Sequence, residues 1–351
     1  MKKLKILVVG AGLMGKQHIR LIKENKDCEL AGIVELDNKV SHLVAKENNT
    51  QIYFSIDSYL KTGTVDGVII ASPNEFHFDQ ALFCIQNQIP VLIEKPIASA
   101  AKSALILVNL AEIKKNKVLV GHHRVYSPFI SETKKIIQSG QLGKLVSIMG
   151  SSQFYKPDNY FIEGPWRKEI GGGPILINLI HDIGNLRLIC GEIEAVQAIS
   201  SSAIRQFSVE DTLAVSFLFE SGTLGSFLLS DTAASSLSWE HTSGENPSFP
   251  YHKNENCYFV SGTRGSLNIP SMTLKFYKNS DKSSWLNPLT ESVLKIKRED
   301  PLTLQLKHFI ELIGSDHIRP MVSALDGLRN LQVAEAIKTS AKLNKLIKIT
   351  Y

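Results

Sequence analysis

The chain has 351 residues, 43% of them hydrophobic and 21% charged, with a formal net charge of +5. That length suits about two domains, and the near-average composition excludes wholesale disorder. The charge is weak for this length and forms no basic stripe, which excludes a nucleic-acid footprint, and no apolar run approaches the ~18 residues of a membrane helix.

The apolar stretch behind Lys2, Lys3 and Lys5 is short and runs straight into glycines. It reads as a buried first strand rather than an export signal. Over the first 120 or so residues, strand-like runs alternate with helical patterns: strand at 5–9, helix at 13–23, strand at 29–34, helix at 38–47, strand at 67–71, helix at 75–86, strand at 90–93, helix at 100–115 and strand at 118–120. Asn74 is placed to cap the helix at 75–86. The alternation implies a parallel sheet covered on both faces. After a boundary near 121–128 the pattern changes. Long strand-like stretches at 145–155, 195–204, 212–219, 223–230, 257–262 and 273–277 imply a mostly antiparallel sheet. One helix interrupts them near 175–190, and two more follow at 301–313 and 323–343. The expected fold class is therefore α/β plus α+β, with a first domain over 1–122 and a second over 123–351.

Gly10-Ala11-Gly12-Leu13-Met14-Gly15 is a G-x-G-x-x-G between the first strand and the first helix, the context in which that motif cradles a dinucleotide. Gly10 permits the turn, Gly12 lets backbone approach a pyrophosphate, and Gly15 lets the helix pack close. The helix start, with Leu13 and Met14, offers N–H groups to the phosphates. Glu35 closes the second strand, where a carboxylate accepts from ribose hydroxyls and repels a 2′-phosphate, favouring NAD over NADP. Ser72, Pro73 and Asn74 follow the 67–71 strand beside the expected cofactor crevice. His77, one turn further on, either faces that crevice or sits half-exposed.

Ile93-Glu94-Lys95-Pro96, taken with the glycine motif, His18, ASPNEFH, GHHRVYSP, Trp166-Arg167 and GGGPILINLIHDI, resembles the Gfo/Idh/MocA oxidoreductase family over essentially the whole chain. The resemblance implies a Rossmann domain and a second domain with a large open sheet that serves oligomerisation, as a homodimer or homotetramer. It also implies NAD-dependent oxidation or reduction of a ring hydroxyl or carbonyl on a sugar, sugar acid, inositol or related polyol. The family's catalytic lysine maps onto Lys95 and its catalytic histidine onto His181; Glu94, Trp166 and Arg167 are implied at the nicotinamide end. A lysine beside a cationic nicotinamide should have a lowered pKa and can take part in proton transfer. The family's Asp four residues before the histidine is replaced here by Ile177. Asn178 is the polar group left on nearly the same helix face, and is expected to bond the substrate or the histidine.

Other substrate-side candidates are Arg124, which suits a carboxylate or an interdomain salt bridge, and Tyr155 and Tyr160, which suit sugar stacking or packing. The polar stretch 230–257 carries Trp239, His241, Tyr251 and His252 and reads as a substrate lid or an oligomer arm. Its histidines lack ligand spacing, so no metal is expected. Four scattered cysteines (Cys28, Cys84, Cys190, Cys257) suit reduced thiols in a cytoplasmic protein. Two other functions remain open: a glycosidase that retains NAD, and a non-catalytic NAD-binding sensor or scaffold.

Overall fold

The computed structural model describes residues 3–278 and 283–351. They form two compact units: the chain up to His122 together with Leu302–Leu331, and His123–Pro301 together with Gln332–Tyr351.

The first unit alternates β1 (Leu4–Val9), α1 (Leu13–Glu24), β2 (Cys28–Val34), α2 (Asn38–Asn48), β3 (Ile52–Tyr53), α3 (Ile56–Leu60), β4 (Gly67–Ile70), α4 (His77–Gln86), β5 (Val91–Glu94), α5 (Ala101–Lys114) and β6 (Val118–Gly121). The six strands pair in parallel in the order β3-β2-β1-β4-β5-β6. Residues 67–70 and 91–94 are buried throughout, as β-branched strands covered on both faces must be. The order reverses between β1 and β4, so their carboxyl ends flank the crevice where such sheets hold ligands. Asn74 does not cap α4: it opens a 3-10 turn (Asn74–Phe76), and the helix starts at His77, two residues later than the sequence pattern suggests.

The expected second domain, 123–351, is divided in space, because Leu302–Leu331 packs with the first unit. Helix α10 (Pro301–Gly314) places Leu302, Leu306, Phe309 and Leu312 in the core around Ile6, Val8, Ile69 and Leu92. Gly67 makes room for it: a Cβ there would meet Ile313 at 2.6 Å and Phe309 at 3.1 Å. The segment after α10 also joins the sheet edge, where the Val120 amide donates to Val322 O at 2.9 Å.

The second unit contains α6 (Pro128–Gln138), β7 (Leu145–Gln153), α7 (Asp158–Glu163), α8 (Ile180–Cys190), β8 (Ile193–Ser201), β9 (Thr212–Phe219), β10 (Leu224–Ser230), α9 (Trp239–Ser243), β11 (Tyr258–Gly262), β12 (Gly265–Ile269), β13 (Thr273–Phe276), β14 (Thr290–Val293) and β15 (Ile347–Lys348); α11 (Ala324–Leu343) ends within it. Its strand order is β14-β13-β12-β11-β7-β10-β9-β8-β15. All neighbours are antiparallel except β7 and β10, which run parallel. Alternation along β9 and most of β10 buries Val215, Phe217, Phe219, Phe227 and Leu229 on one face. A π-helical segment, Ile175–Leu179, leads into α8, and the Ile180 amide reaches back five residues to Ile175 O. Such widened turns cluster at functional sites.

Candidate functional site

In the first unit the loops after β1, β4 and β5 are tied together. Gly10 has φ +89°, and a Cβ on it would meet the Ser72 amide nitrogen at 2.6 Å, so the first loop lies directly against the one after β4. A Cβ on Gly15 would stand 2.0 Å from Gly10 O, which explains why α1 can start so close to the strand. Gly12 differs from both: a Cβ there meets nothing within 4 Å. It caps α1 without a side-chain hydrogen bond, and the first turn contains no acidic residue. Open space beside uncapped helix N–H groups is what a pyrophosphate requires, so these residues fit a dinucleotide. Leu13 is exposed, and Met14 packs against the core. What either can give a phosphate is therefore its backbone N–H rather than its side chain.

Glu35 stands at the end of β2, as a ribose-reading carboxylate should. Its Oε2 accepts from the Ala11 amide at 2.7 Å, and its Oε1 accepts from Leu36 at 2.8 Å and Asp37 at 3.0 Å. A carboxylate offers about four acceptor sites, so one remains, enough for one ribose hydroxyl rather than the expected pair. Ser72 donates to Gln80 Oε1 at 2.6 Å.

His77 is 1% exposed, and both its ring nitrogens meet backbone carbonyls. Its Nδ1 lies 2.7 Å from Pro96 O and its Nε2 2.9 Å from Ser72 O. It thus bridges the β4 loop to the segment carrying Lys95, and the reading of His77 as a direct cofactor contact is corrected. Burial pushes its pKa down, against the two carbonyls and the Glu94 charge, which push it up. Glu94 is also buried, with Oε1 2.8 Å from Nε2 of His18 on α1. This pair couples the phosphate-facing helix to the EKP strand. The sequence marks His18 only as part of the family pattern, and its partner becomes visible in the fold. Lys95, half-buried, precedes a cis Pro96.

In the second unit His181 lies in the first turn of α8, 5% exposed, its ring edge-on to that of His123 at 4.8 Å. Asn178 lies in the π-helical segment just before it. Its Oδ1 accepts from Lys156 Nζ at 2.7 Å. Lys156 is itself buried, 3.4 Å from Asp231 Oδ2 and 5.0 Å from the centre of the Tyr160 ring. The same ring carries the Arg167 guanidinium at 3.8 Å, and Arg167 also donates to Tyr160 O. Tyr155 and Trp166 are 57% and 46% exposed, so both can meet a ligand. No sequence signal marked Lys156: its burial comes from a carboxylate and a ring that only the fold brings to it.

Two expectations fail for one reason, burial. The guanidinium of Arg124 is 3% exposed and bonds Asp182 Oδ1 at 3.1 Å and Glu240 Oε1 at 2.7 Å, all within the second unit. It is neither offered to a substrate carboxylate nor part of an interdomain pair. Tyr258 also donates to Asp182, whose pKa burial pushes up to about 6 against the pull of Arg124. Trp239 is 3% exposed, packs 5.5 Å from Tyr258, and donates from Nε1 to Glu245 Oε2 at 3.1 Å. Glu245 accepts from Ser127 at 2.6 Å as well, and burial pushes its pKa up to about 7. The centre of the 230–257 stretch is thus core material, and Trp239 is not a substrate contact.

Residues 4–122 match an oxidoreductase family described by its NAD-binding Rossmann fold, and residues 130–268 match the GFO/IDH/MocA C-terminal domain. The chain belongs to the Gfo/Idh/MocA oxidoreductase family. It is 28% identical over 194 residues to the rhizopine catabolism protein MocA of Rhizobium meliloti, covering 55% of this chain and 59% of that one. It is 30% identical over 152 residues to an inositol 2-dehydrogenase of Corynebacterium glutamicum, covering 42% and 45%. These matches span about half the length of the curated relatives. The fold is also that of the WlbA dehydrogenase from Bordetella pertussis, solved with NADH and UDP-GlcNAcA: TM-score 0.79, 20% identity and full coverage of both chains.

Proposed function

We propose that the chain is an NAD-dependent dehydrogenase or reductase acting on a ring hydroxyl or carbonyl of a sugar, sugar acid, inositol or related polyol. The observation that carries the reading is the open space at Gly12 beside the uncapped start of α1, within a family described by NAD binding. Gly10, Gly12, Gly15 and the first amides of α1 would hold the pyrophosphate, Glu35 one ribose hydroxyl, and the Ser72–Asn74 loop the inner face. Glu35 favours NAD over NADP, since its remaining acceptor site would meet a 2′-phosphate as charge against charge. Bound NAD would supply the hydride acceptor.

Lys95 and His181 would carry the proton. His181 takes it from the substrate hydroxyl, and Lys95 holds or relays it at the reacting oxygen. With Ile177 at the family's Asp position, no carboxylate supports His181 from that turn. The buried imidazole packs edge-on against the ring of His123. The outer face of the second sheet carries exposed Met149, Ile199, Leu224 and Leu228, with Ile199, Ala214 and Leu228 in one cross-strand row. A second copy of this chain would cover it, as a homodimer or homotetramer, and light scattering tests that. The four cysteines are free and buried, which suits a reducing, cytoplasmic setting.

The test is a panel of sugars, sugar acids, inositols and nucleotide sugars with NAD, followed by NADH absorbance. At least one should be oxidised. Lys95→Ala and His181→Ala should each lower turnover by ~10²–10⁴-fold with NAD affinity retained; near-normal turnover in either would remove that residue from the mechanism. Binding of NAD without turnover on any member would favour a sensor, and release of aglycone from aryl glycosides without net NADH would favour the NAD-retaining glycosidase.

A further inference from the structure

We propose that Lys156 sets the hydrogen-bond polarity of Asn178, so that the substrate site selects a sugar or polyol bearing an oxyanion, a carboxylate or phosphate ester. This rests on the reading that the face of His181 is the substrate side.

An amide can be turned either way, and its partner decides which. The atom of Asn178 that faces Lys156 Nζ at 2.7 Å must be Oδ1, because an ammonium has three donors and no acceptor. The reverse orientation would set N–H against N–H. Lys156 cannot swing away to release the amide. Its side chain is 9% exposed, Asp231 Oδ2 stands 3.4 Å away, and the Tyr160 and Phe154 rings lie 5.0 Å and 5.6 Å from the ammonium. Its backbone is fixed too, the amide donating to Asp231 O at 2.9 Å. With Oδ1 taken, Asn178 presents its NH₂, and it does so from the half-buried π-helical segment, one turn before His181.

The polarity matters because the resemblance expects a carboxylate in this turn, which only accepts. An accepting side chain suits a substrate hydroxyl that donates. The Asn178 NH₂ donates, and a positive charge 2.7 Å behind its oxygen polarises it further. A neutral hydroxyl can accept from it, but its own proton then needs another partner. A carboxylate or phosphate oxygen accepts only, and it gains from the charge behind the amide. Lys156 is therefore a positioning residue acting through Asn178.

The experiment is calorimetric titration of the protein, saturated with NADH, with D-glucose, D-glucuronate and D-glucose 6-phosphate as probes. At least one of the two anions should bind ~10-fold or more tightly than glucose, and which one does so separates a carboxylate site from a phosphate site. Asn178→Asp replaces the donor with an acceptor and should erase the preference. Lys156→Met should reduce it to within about threefold, and Lys156→Arg, which also only donates, should restore part of it; a cooperative denaturant melt close to that of wild type reports that each variant is folded. Equal or tighter binding of glucose, binding of none of the three, or a preference that survives Asn178→Asp would overturn the proposal. The titrations need no turnover, so a failed oxidation panel would refute the dehydrogenase reading and leave this result standing.

Discussion

Gly12 and Gly15 stand three residues apart in one motif, yet substituting each by alanine should produce opposite effects. At Gly12 the backbone has φ −69° and ψ −163°, close to ordinary extended geometry, and a Cβ meets no atom within 4 Å. Gly12→Ala should therefore leave the ligand-free fold within about 0.5 kcal/mol of wild type, with a small gain possible from a stiffer unfolded chain. The added methyl would occupy the space the pyrophosphate needs. Loss of close backbone approach should raise the NAD dissociation constant by ~100-fold or more, which is about 2.7 kcal/mol. At Gly15 the Cβ would lie 2.0 Å from the backbone oxygen of Gly10, which has no flexible end to move. Gly15→Ala should therefore cost about 1–3 kcal/mol of stability, as overpacking does, by forcing α1 off the strand. Denaturant melts without ligand, paired with NAD titrations, separate the two. Normal NAD affinity in Gly12→Ala would refute the placement of the phosphates. An unchanged melt in Gly15→Ala would refute the packing role.

The other expectations concern the second unit. Trp239→Ala should destabilise by about 3–5 kcal/mol, read from denaturant melts, because it empties a buried site and leaves Glu245 short of a donor; a loss of activity with unchanged stability would return the segment to a lid. Glu245 has its pKa raised from 4.5 to about 7, so its contribution to stability is full below pH 4.5 and is lost as pH rises through 7. A shift of that size amounts to about 3 kcal/mol. Glu245→Gln should flatten the stability–pH curve across that window, and an unchanged slope would count against burial as the cause. Asp182, raised to about 6 by burial, acts in the same direction between pH 3.8 and 6, so chemical melts at pH 4 and 8 should differ more in wild type than in Glu245→Gln.

The first unit was legible in the sequence because its constraints are local. A phosphate-facing turn needs glycines at fixed positions, a covered parallel strand needs an unbroken apolar run, and both appear within a few residues of the chain. The return of α10 to that core was not legible. Leu302, Leu306 and Phe309 show an apolar helix face but not which core it meets, and only the notch at Gly67 explains the choice. Arg124 and Trp239 misled for a related reason: a cation or an indole in a polar stretch looks available until the fold supplies Asp182, Glu240 and Glu245 as partners. Helix α6 had a readable start, since Ser127 accepts from the Phe129 amide with Pro128 in the first turn, but it follows directly on the boundary at 121–128, where the strand–helix alternation stops. Asn178 was visible as the polar neighbour of His181, whereas the orientation of its amide depends on Lys156, more than 20 residues away in the chain.

The most direct test of the central claim is NADH formation by the purified protein with NAD across the sugar, sugar-acid and inositol panel, run beside Lys95→Ala and His181→Ala. The account expects at least one substrate to be oxidised by the wild-type chain and both variants to fall by ~10²-fold or more while still binding NAD. Oxidation that persists in either variant, or NAD binding with no oxidation of any member, would contradict it.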